Sequence, residues 1–341
     1  MNKSIALILA LILCAAPACM FAQGIQQPGI QQPGIQQPGV QQPGIQQPVA
    51  QPAQTEEPAQ AAAPVYLANG LLAPGSEPVI EKDHAGGHWL YVDDALKVEI
   101  TRYQLTSPKL TYYIADIVCA EGEYMRTYSY NQERPGRTNG RPEDMAKEHK
   151  AVYAQSGDFY SYRISHDQTV GIIIRDGEIL NKKTYKRLTK PNLPDLSNLA
   201  LFPDGTLSVH RYNEYTAQDY IDQGATDVLA FGPILIKDGE INADVYTNFT
   251  YEEPRNALGT IEPGHYVGML VEGRMDHSDG CGLKFMAETL KELGCTDAMN
   301  LDGGGTAAMV FMGESVQMGN DGSVRSSERA VPDILAVGTY D

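Results

Sequence analysis

The chain has no run of five or more basic residues, and its 26 Lys and Arg face 43 Asp and Glu, giving a formal charge of -17. Nucleic-acid binding needs cationic patches that neutralise phosphates, and anionic lipid headgroups need the same. Neither partner fits. An anionic substrate would have to be held by individual arginines against an unfavourable overall field, so each arginine is worth following. Cysteine is also scarce. Of the five, Cys14 and Cys19 lie at the N-terminus, and Cys119, Cys281 and Cys295 make no disulfide framework. Cys281 and Cys295 bracket an expected helix, whose rise separates them by about 20 Å, beyond disulfide reach. A Gly-x-Ser-x-Gly elbow, a phosphate-loop lysine and a Cys-x-x-Cys pair are all missing. Beyond the leader, no apolar stretch is long enough to cross a bilayer.

What is present starts with a targeting pattern. Asn2-Lys3-Ser4 is a short positive region, Ile5 to Leu13 an apolar core, and Ala15-Ala16-Pro17-Ala18 a small-residue stretch. The reading is a signal peptide over 1–22, cleaved after Ala18 or Ala22, and an exported protein. Lipid anchoring at Cys19 is the alternative. Residues 24–48 repeat Gly-Ile/Val-Gln-Gln-Pro five times. A proline every fifth residue removes backbone donors and blocks helix, which predicts an extended linker over 23–64 that attaches the domain to a surface or protein.

From residue 65 onward the composition is globular. Leu96 to Leu105, Leu110 to Cys119, Val170 to Arg175, Asp227 to Ala230, Tyr266 to Val271 and Ile334 to Val337 read as strands. Asp176-Gly177, Asp204-Gly205 and Asp238-Gly239 are turn signals. Pro142 to His149, Ala217 to Gln223 and Lys284 to Leu293 read as helices, the last with Phe285, Met286, Leu290 and Leu293 on one face and Gly294 as its stop. Strands dominate and helices intervene irregularly. The expected fold is α+β: a mixed β-sheet core with helices packed around it, in one large domain over 65–341.

One segment stands out. After a short apolar strand, Ala298 to Leu301, a single carboxylate, Asp302, runs into Gly303-Gly304-Gly305-Thr306. Three glycines add no packing and lose the most entropy on folding, so something must approach the backbone closely there. Three other segments combine charge, glycine and polar residues without a packing role: Ser156-Gly157-Asp158, Pro254-Arg255-Asn256, and Glu272-Gly273-Arg274. Ser278-Asp279 is an expected N-cap for the helix that follows, with N–H groups suited to an anion. Metal sites at Asp276-His277-Ser278-Asp279 or His84/His88 have little support, because no second histidine stands at useful spacing in the first and glycines interrupt the second.

Taken in order, these segments are similar to the phosphodiester glycosidase family. The series is Ser156-Gly157-Asp158-Phe159-Tyr160, Gly171 to Gly177, Leu229 to Pro233, Pro254-Arg255, Glu272-Gly273-Arg274, Ser278 to Gly280 and Asn300 to Gly305. The pattern departs at Ser156, where the family usually has Asn, at Asn256, where Thr is usual, at Glu272, which replaces Asp, at Met275, where Ser is frequent, and at Thr306, which replaces Ser and keeps a hydroxyl. The resemblance implies hydrolysis between a sugar anomeric carbon and a phosphodiester, on a GlcNAc-like sugar-phosphate or a cell-envelope polysaccharide. A phosphodiester leaves easily, so the demand falls on holding phosphate and stabilising an oxocarbenium-like transition state. That assigns Arg255 and Arg274 as phosphate clamps, and Asp302 as base or nucleophile with Asp158 as second carboxylate. Glu272, Ser278, Asn300, Gly303, Gly304, Gly305 and Thr306 complete the expected substrate contacts, with no cofactor required. Two other classes remain: a non-catalytic sugar-phosphate or wall-polymer binding module, and a phosphodiesterase that breaks the P–O bond, chemistry that usually recruits two metals.

Overall fold

The computed structural model describes residues 64–131, 138–157, 171–182, 196–319 and 329–340. The leader, the repeats, the linker up to residue 63 and Asp158 lie outside the described residues. The largest assembly is a nine-stranded sheet in the order β1 (Val79–Asp83), β2 (His88–Val92), β3 (Leu96–Thr106), β4 (Lys109–Cys119), β15 (His265–Val271), β14 (Arg255–Glu262), β16 (Asp297–Leu301), β12 (Ile234–Lys237) and β13 (Glu240–Ile241). A five-stranded sheet runs β10 (Leu207–His210), β9 (Ser197–Leu201), β11 (Asp227–Phe231), β7 (Ile172–Arg175), β8 (Glu178–Lys182). The third runs β18 (Glu314–Ser315), β17 (Met309–Phe311), β6 (Ala151–Ser156), β19 (Asp333–Thr339), β5 (Arg126–Ser129).

Every ladder among the described strands is antiparallel. The fold is therefore more strongly sheet-dominated than a mixed core with surrounding helices. The expected strands and helices are in place. The helices are α1 (Pro142–Glu148), α2 (Ala217–Asp222) and α3 (Leu283–Glu292). Two of the expected turns are two-residue hairpins with both central residues at positive φ: Asp176 (47°) with Gly177 (75°), and Asp238 (51°) with Gly239 (75°). That twist matches the flanking strands. Thr216 and Asp219 cap α2 reciprocally.

The central strands are buried on both faces because period-2 alternation serves two cores at once. In β14, β15 and β16, Leu258, Tyr266, Leu270, Met299 and Leu301 pack with strands of the two smaller sheets. Ala257, Val267, Met269, Val271 and Ala298 pack instead against Met286, Ala287 and Leu290 of α3. α3 begins at Leu283 with Gly282 as its N-cap and no capping side chain. Ser278 and Asp279 therefore do not cap it: the chain still has to form a β-bridge at Cys281 before it can turn into the helix.

Burial also ties the smaller sheets together through charge. Arg175 in β7 reaches Asp333 at the start of β19 at 2.5 Å, with both side chains buried, and its Nη1 donates to the Ile174 and Val228 carbonyls. Removing one partner of such a pair leaves an uncompensated buried charge. Asp227 in β11 is 3% exposed and accepts from the Thr127 hydroxyl of β5. Burial raises its carboxyl above the ordinary 3.8, with Thr127 and Arg175 pulling the other way. A carboxyl raised on folding contributes most when protonated, and that contribution is lost as pH climbs from the unfolded value through the folded one. Asp227→Asn, neutral throughout and still able to accept from Thr127, is expected to raise the thermal midpoint at pH 7 and to match wild type below about pH 3.5. Melting curves across that range check the sign.

Candidate active site

The site grows out of strand ends. β14 starts at Arg255 and β16 stops at Leu301, and their ladder ends with Asn256 opposite Leu301. Arg255 and Asp302 therefore leave the sheet side by side. β6 ends at Ser156, and the carbonyl of the next residue, Gly157, accepts the Asp302 N–H at 3.4 Å. Asp302 itself is half-buried. Its chain then turns through a 3-10 turn, Gly304–Thr306, that is drawn tight by the Thr306 hydroxyl donating to the Gly303 carbonyl at 2.6 Å.

Each glycine is explained by what lies against it. A Cβ on Gly303 would sit 2.7 Å from the Pro254 carbonyl oxygen, so any side chain would push the turn off β14. Gly304 has φ 63° and donates its N–H to that same carbonyl at 2.9 Å. A Cβ there would be 3.8 Å from both terminal nitrogens of Arg274, and one on Gly305 would be 3.3–3.5 Å from the Arg329 guanidinium. Two guanidiniums thus rest on the glycine turn where side chains would otherwise be.

Above the turn is a cleft of about 270 Å³, lined by Arg255, Arg274, Arg329, Asn300, Asp302 and the three glycines, with Phe231, Tyr251 and Glu253 among its walls. Arg255 is 8% exposed. Its Nε and Nη2 donate to the Cys281 and Tyr251 carbonyls, each at 3.1 Å, and its guanidinium lies 5.0 Å from the Tyr251 ring centre. Two fixed carbonyls and a ring hold that fork in one orientation. Arg274 is more open: it pairs with Glu253 and sits at φ 62°. Positive φ in a long side chain is unusual and costs of order 1–2 kcal/mol. Asn300 is 3% exposed; its Nδ2 donates to the Gly232 carbonyl at 2.9 Å, and its Oδ1 has no hydrogen-bond partner among the described residues.

Three of the expected contacts do not line the cleft, and one of them, Thr306, is 1% exposed with its hydroxyl spent on the Gly303 carbonyl. Glu272 is 1% exposed and does not line the cleft. Its Oε1 accepts from the Tyr113 hydroxyl and the Met318 N–H, both at 2.7 Å, and its Oε2 meets His277. Ser278 is fully buried; it donates to the Glu272 carbonyl at 2.6 Å and accepts from the Thr111 N–H at 2.9 Å. Both brace the Glu272–Ser278 segment that carries Arg274, and their polar atoms are taken up within the protein. Arg329, Glu253, Tyr251 and Phe231 are cleft residues that sequence reasoning passed over. An arginine just ahead of the last apolar strand was the available signal for Arg329.

Cys119, Cys281 and Cys295 are free thiols, each pushed up to about 12 by burial, so none is a nucleophile at neutral pH. Among the described residues no group of three His, Cys, Asp or Glu is arranged to hold a metal ion. His88 instead bonds Glu99 at 3.1 Å, and His84 packs edge-on against Trp89.

Strand ends thus deliver three arginines and a carboxylate to one glycine turn. The chain belongs to the phosphodiester glycosidase family, whose model matches residues 149–338. It is 27% identical over 249 residues to the SPbeta prophage-derived uncharacterized protein YomE of Bacillus subtilis (strain 168), covering 68% of this chain but 37% of that protein. In fold it is similar to the zebrafish N-acetylglucosamine-1-phosphodiester alpha-N-acetylglucosaminidase catalytic domain auto-inhibited by its pro-peptide. There the TM-score is 0.58 at 20% identity, over 77% of this chain and 88% of that one. A hypothetical protein from Synechocystis aligns with TM-score 0.50 at 11% identity, over 72% of this chain and 62% of that one.

Gly303→Ala tests the close approach. Overpacking of this kind costs about 1–3 kcal/mol, so its thermal midpoint is expected to drop. Because the turn carries Asp302, activity should fall further than stability alone explains when assayed well below that midpoint.

Proposed function

We propose that this protein is an exported hydrolase that cleaves the bond between a sugar anomeric carbon and a phosphodiester oxygen, releasing free sugar and a phosphomonoester. The observation that carries the reading is the convergence of Arg255, Arg274 and Arg329 with Asp302 on one cleft. Guanidinium forks match phosphate oxygens in pairs, and they stabilise the charge that builds on the leaving phosphate as the glycosidic bond breaks. Little proton donation to that leaving group is then required. Asp302, beside the arginines, attacks or activates water at the anomeric carbon, and Asn300 Oδ1 accepts from a sugar hydroxyl. Asp158 remains in this reading as the second carboxylate. Export is supported by the charged and apolar pattern of residues 2–13, and the repeat by its composition as a spacer to a surface or protein partner.

Asp302→Asn is expected to lower kcat by about 10²–10⁴, while calorimetry still registers sugar-phosphate binding; undiminished turnover would remove Asp302 from the chemistry. Running wild-type hydrolysis of an N-acetylglucosamine 1-phosphodiester in oxygen-18 water should place the label in the sugar. Label in the phosphate would instead mean P–O cleavage.

Arg255→Lys keeps the charge but loses the fork held by Cys281 and Tyr251. Steady-state kinetics should show KM raised and kcat/KM reduced about ten- to hundredfold, the value of one or two charge-assisted hydrogen bonds. Wild-type constants would contradict the clamp.

A further inference from the structure

A second cavity, of about 520 Å³, is lined by Ser197, Ile234, Arg211, Tyr212, Glu240 and Asp244, with Lys237 and Asn242 between them. The segment Phe231–Ile234 borders both this cavity and the cleft. Phe231 lines the cleft, while its register partner Ser197 and the following Ile234 line the second cavity. That segment is pinned to Asn300: the Gly232 N–H donates to the Asn300 carbonyl, and the Asn300 N–H to the Pro233 carbonyl, both at 3.1 Å. The two spaces thus share this segment as part of their linings.

Size and chemistry both bear on what the second space holds. Ligand sites usually run to about 300–1,000 Å³; the cleft at about 270 Å³ falls short, and the second cavity is well inside the range. Two of its polar side chains are already occupied. Lys237 Nζ is tied to Glu214 at 3.0 Å and to the Val209 carbonyl, and Asn242 bonds the Ile234 carbonyl and the Asp244 N–H. That leaves the Arg211 guanidinium, the Tyr212 ring and the Glu240 and Asp244 carboxylates. Carboxylates accept from sugar hydroxyls, an aromatic face covers the C–H side of a sugar ring, and a guanidinium holds one phosphate. Two carboxylates repel a ligand that is anionic throughout, and the set is too polar for an apolar one. It suits a polyhydroxylated unit carrying a single negative charge.

We propose that the second cavity binds the next glycosyl-phosphate unit of a polymeric substrate, so that the protein acts on oligomers in preference to a single sugar phosphodiester. This rests on the glycosidase reading of the cleft. The probes are an N-acetylglucosamine 1-phosphate methyl diester and a trimer of the same units joined through phosphodiesters, compared by reducing-sugar release and by calorimetric binding to Asp302→Asn. Wild type should turn over the trimer with kcat/KM at least about tenfold higher, the value of one added hydrogen bond or stacked contact. Arg211→Ala and Tyr212→Ala should erase that advantage and leave the methyl diester unchanged. Equal kcat/KM for the two substrates, or equal losses on both in the variants, would overturn the proposal. If neither probe is hydrolysed, the glycosidase reading fails. Tighter trimer binding that depends on Arg211 would then still support the cavity, and equal binding would overturn it.

Discussion

A single buried contact holds the site together. Asn256, in the second position of β14, donates its amide to both the carbonyl and the hydroxyl of Ser156 at the end of β6, and both residues are almost fully buried. Four site segments hang from it. Arg255 precedes Asn256, Leu301 pairs with it, Gly157 follows Ser156, and the Ser156 hydroxyl accepts the Ala308 N–H at 3.1 Å, closing the far end of the glycine turn. Behind the pair, Gln155 donates to Asn256 Oδ1 and to the Ala257 carbonyl, each at 3.3 Å, and Tyr153 donates to Gln155. A satisfied buried network of this kind gains about 0.5–1.5 kcal/mol per bond, but an orphaned member costs about 1–3. The asymmetry makes the seam between the nine-stranded and third sheets all-or-none, and the site inherits its rigidity.

That contact joins two of the departures from the family pattern. Where that pattern has Asn on the β6 side and Thr on the β14 side, this chain has Ser156 and Asn256. Taken singly, each alters a polar group next to a site residue. In the fold they are each other's partners, the Asn256 amide donating to the Ser156 hydroxyl. The two together leave the seam paired.

Local signals in the sequence carried far, and long-range ones did not. The hairpins at Asp176-Gly177 and Asp238-Gly239 were legible because positive φ in adjacent residues demands those residue types. The glycine turn was legible because three consecutive glycines suggest a close approach to the backbone, and Gly303 lies against the Pro254 carbonyl. Antiparallel pairing among the described strands was obscured by β15, whose apolar run faces a core on each side and reads like a strand of a mixed sheet. Ser278 and Glu272 were legible as polar residues without a packing role, yet their partners, Thr111, Tyr113 and Met318, are remote in sequence. No spacing rule links residue 111 to residue 278. Arg329 escaped for the same reason: its neighbour, Gly305, is brought to it only by the fold.

The charge balance acquires a second meaning beside this site. A chain of formal charge -17 repels anions at a distance, while Arg255, Arg274 and Arg329 attract one at contact. At physiological salt the Debye length is about 8 Å, so the repulsion reaches little beyond the surface and the cleft arginines govern binding. In the proposed reaction the diester enters with one negative charge and the monoester leaves with about 1.5 to 2. The acidic surround therefore opposes the product more than the substrate, whereas the arginines alone would hold the product tighter.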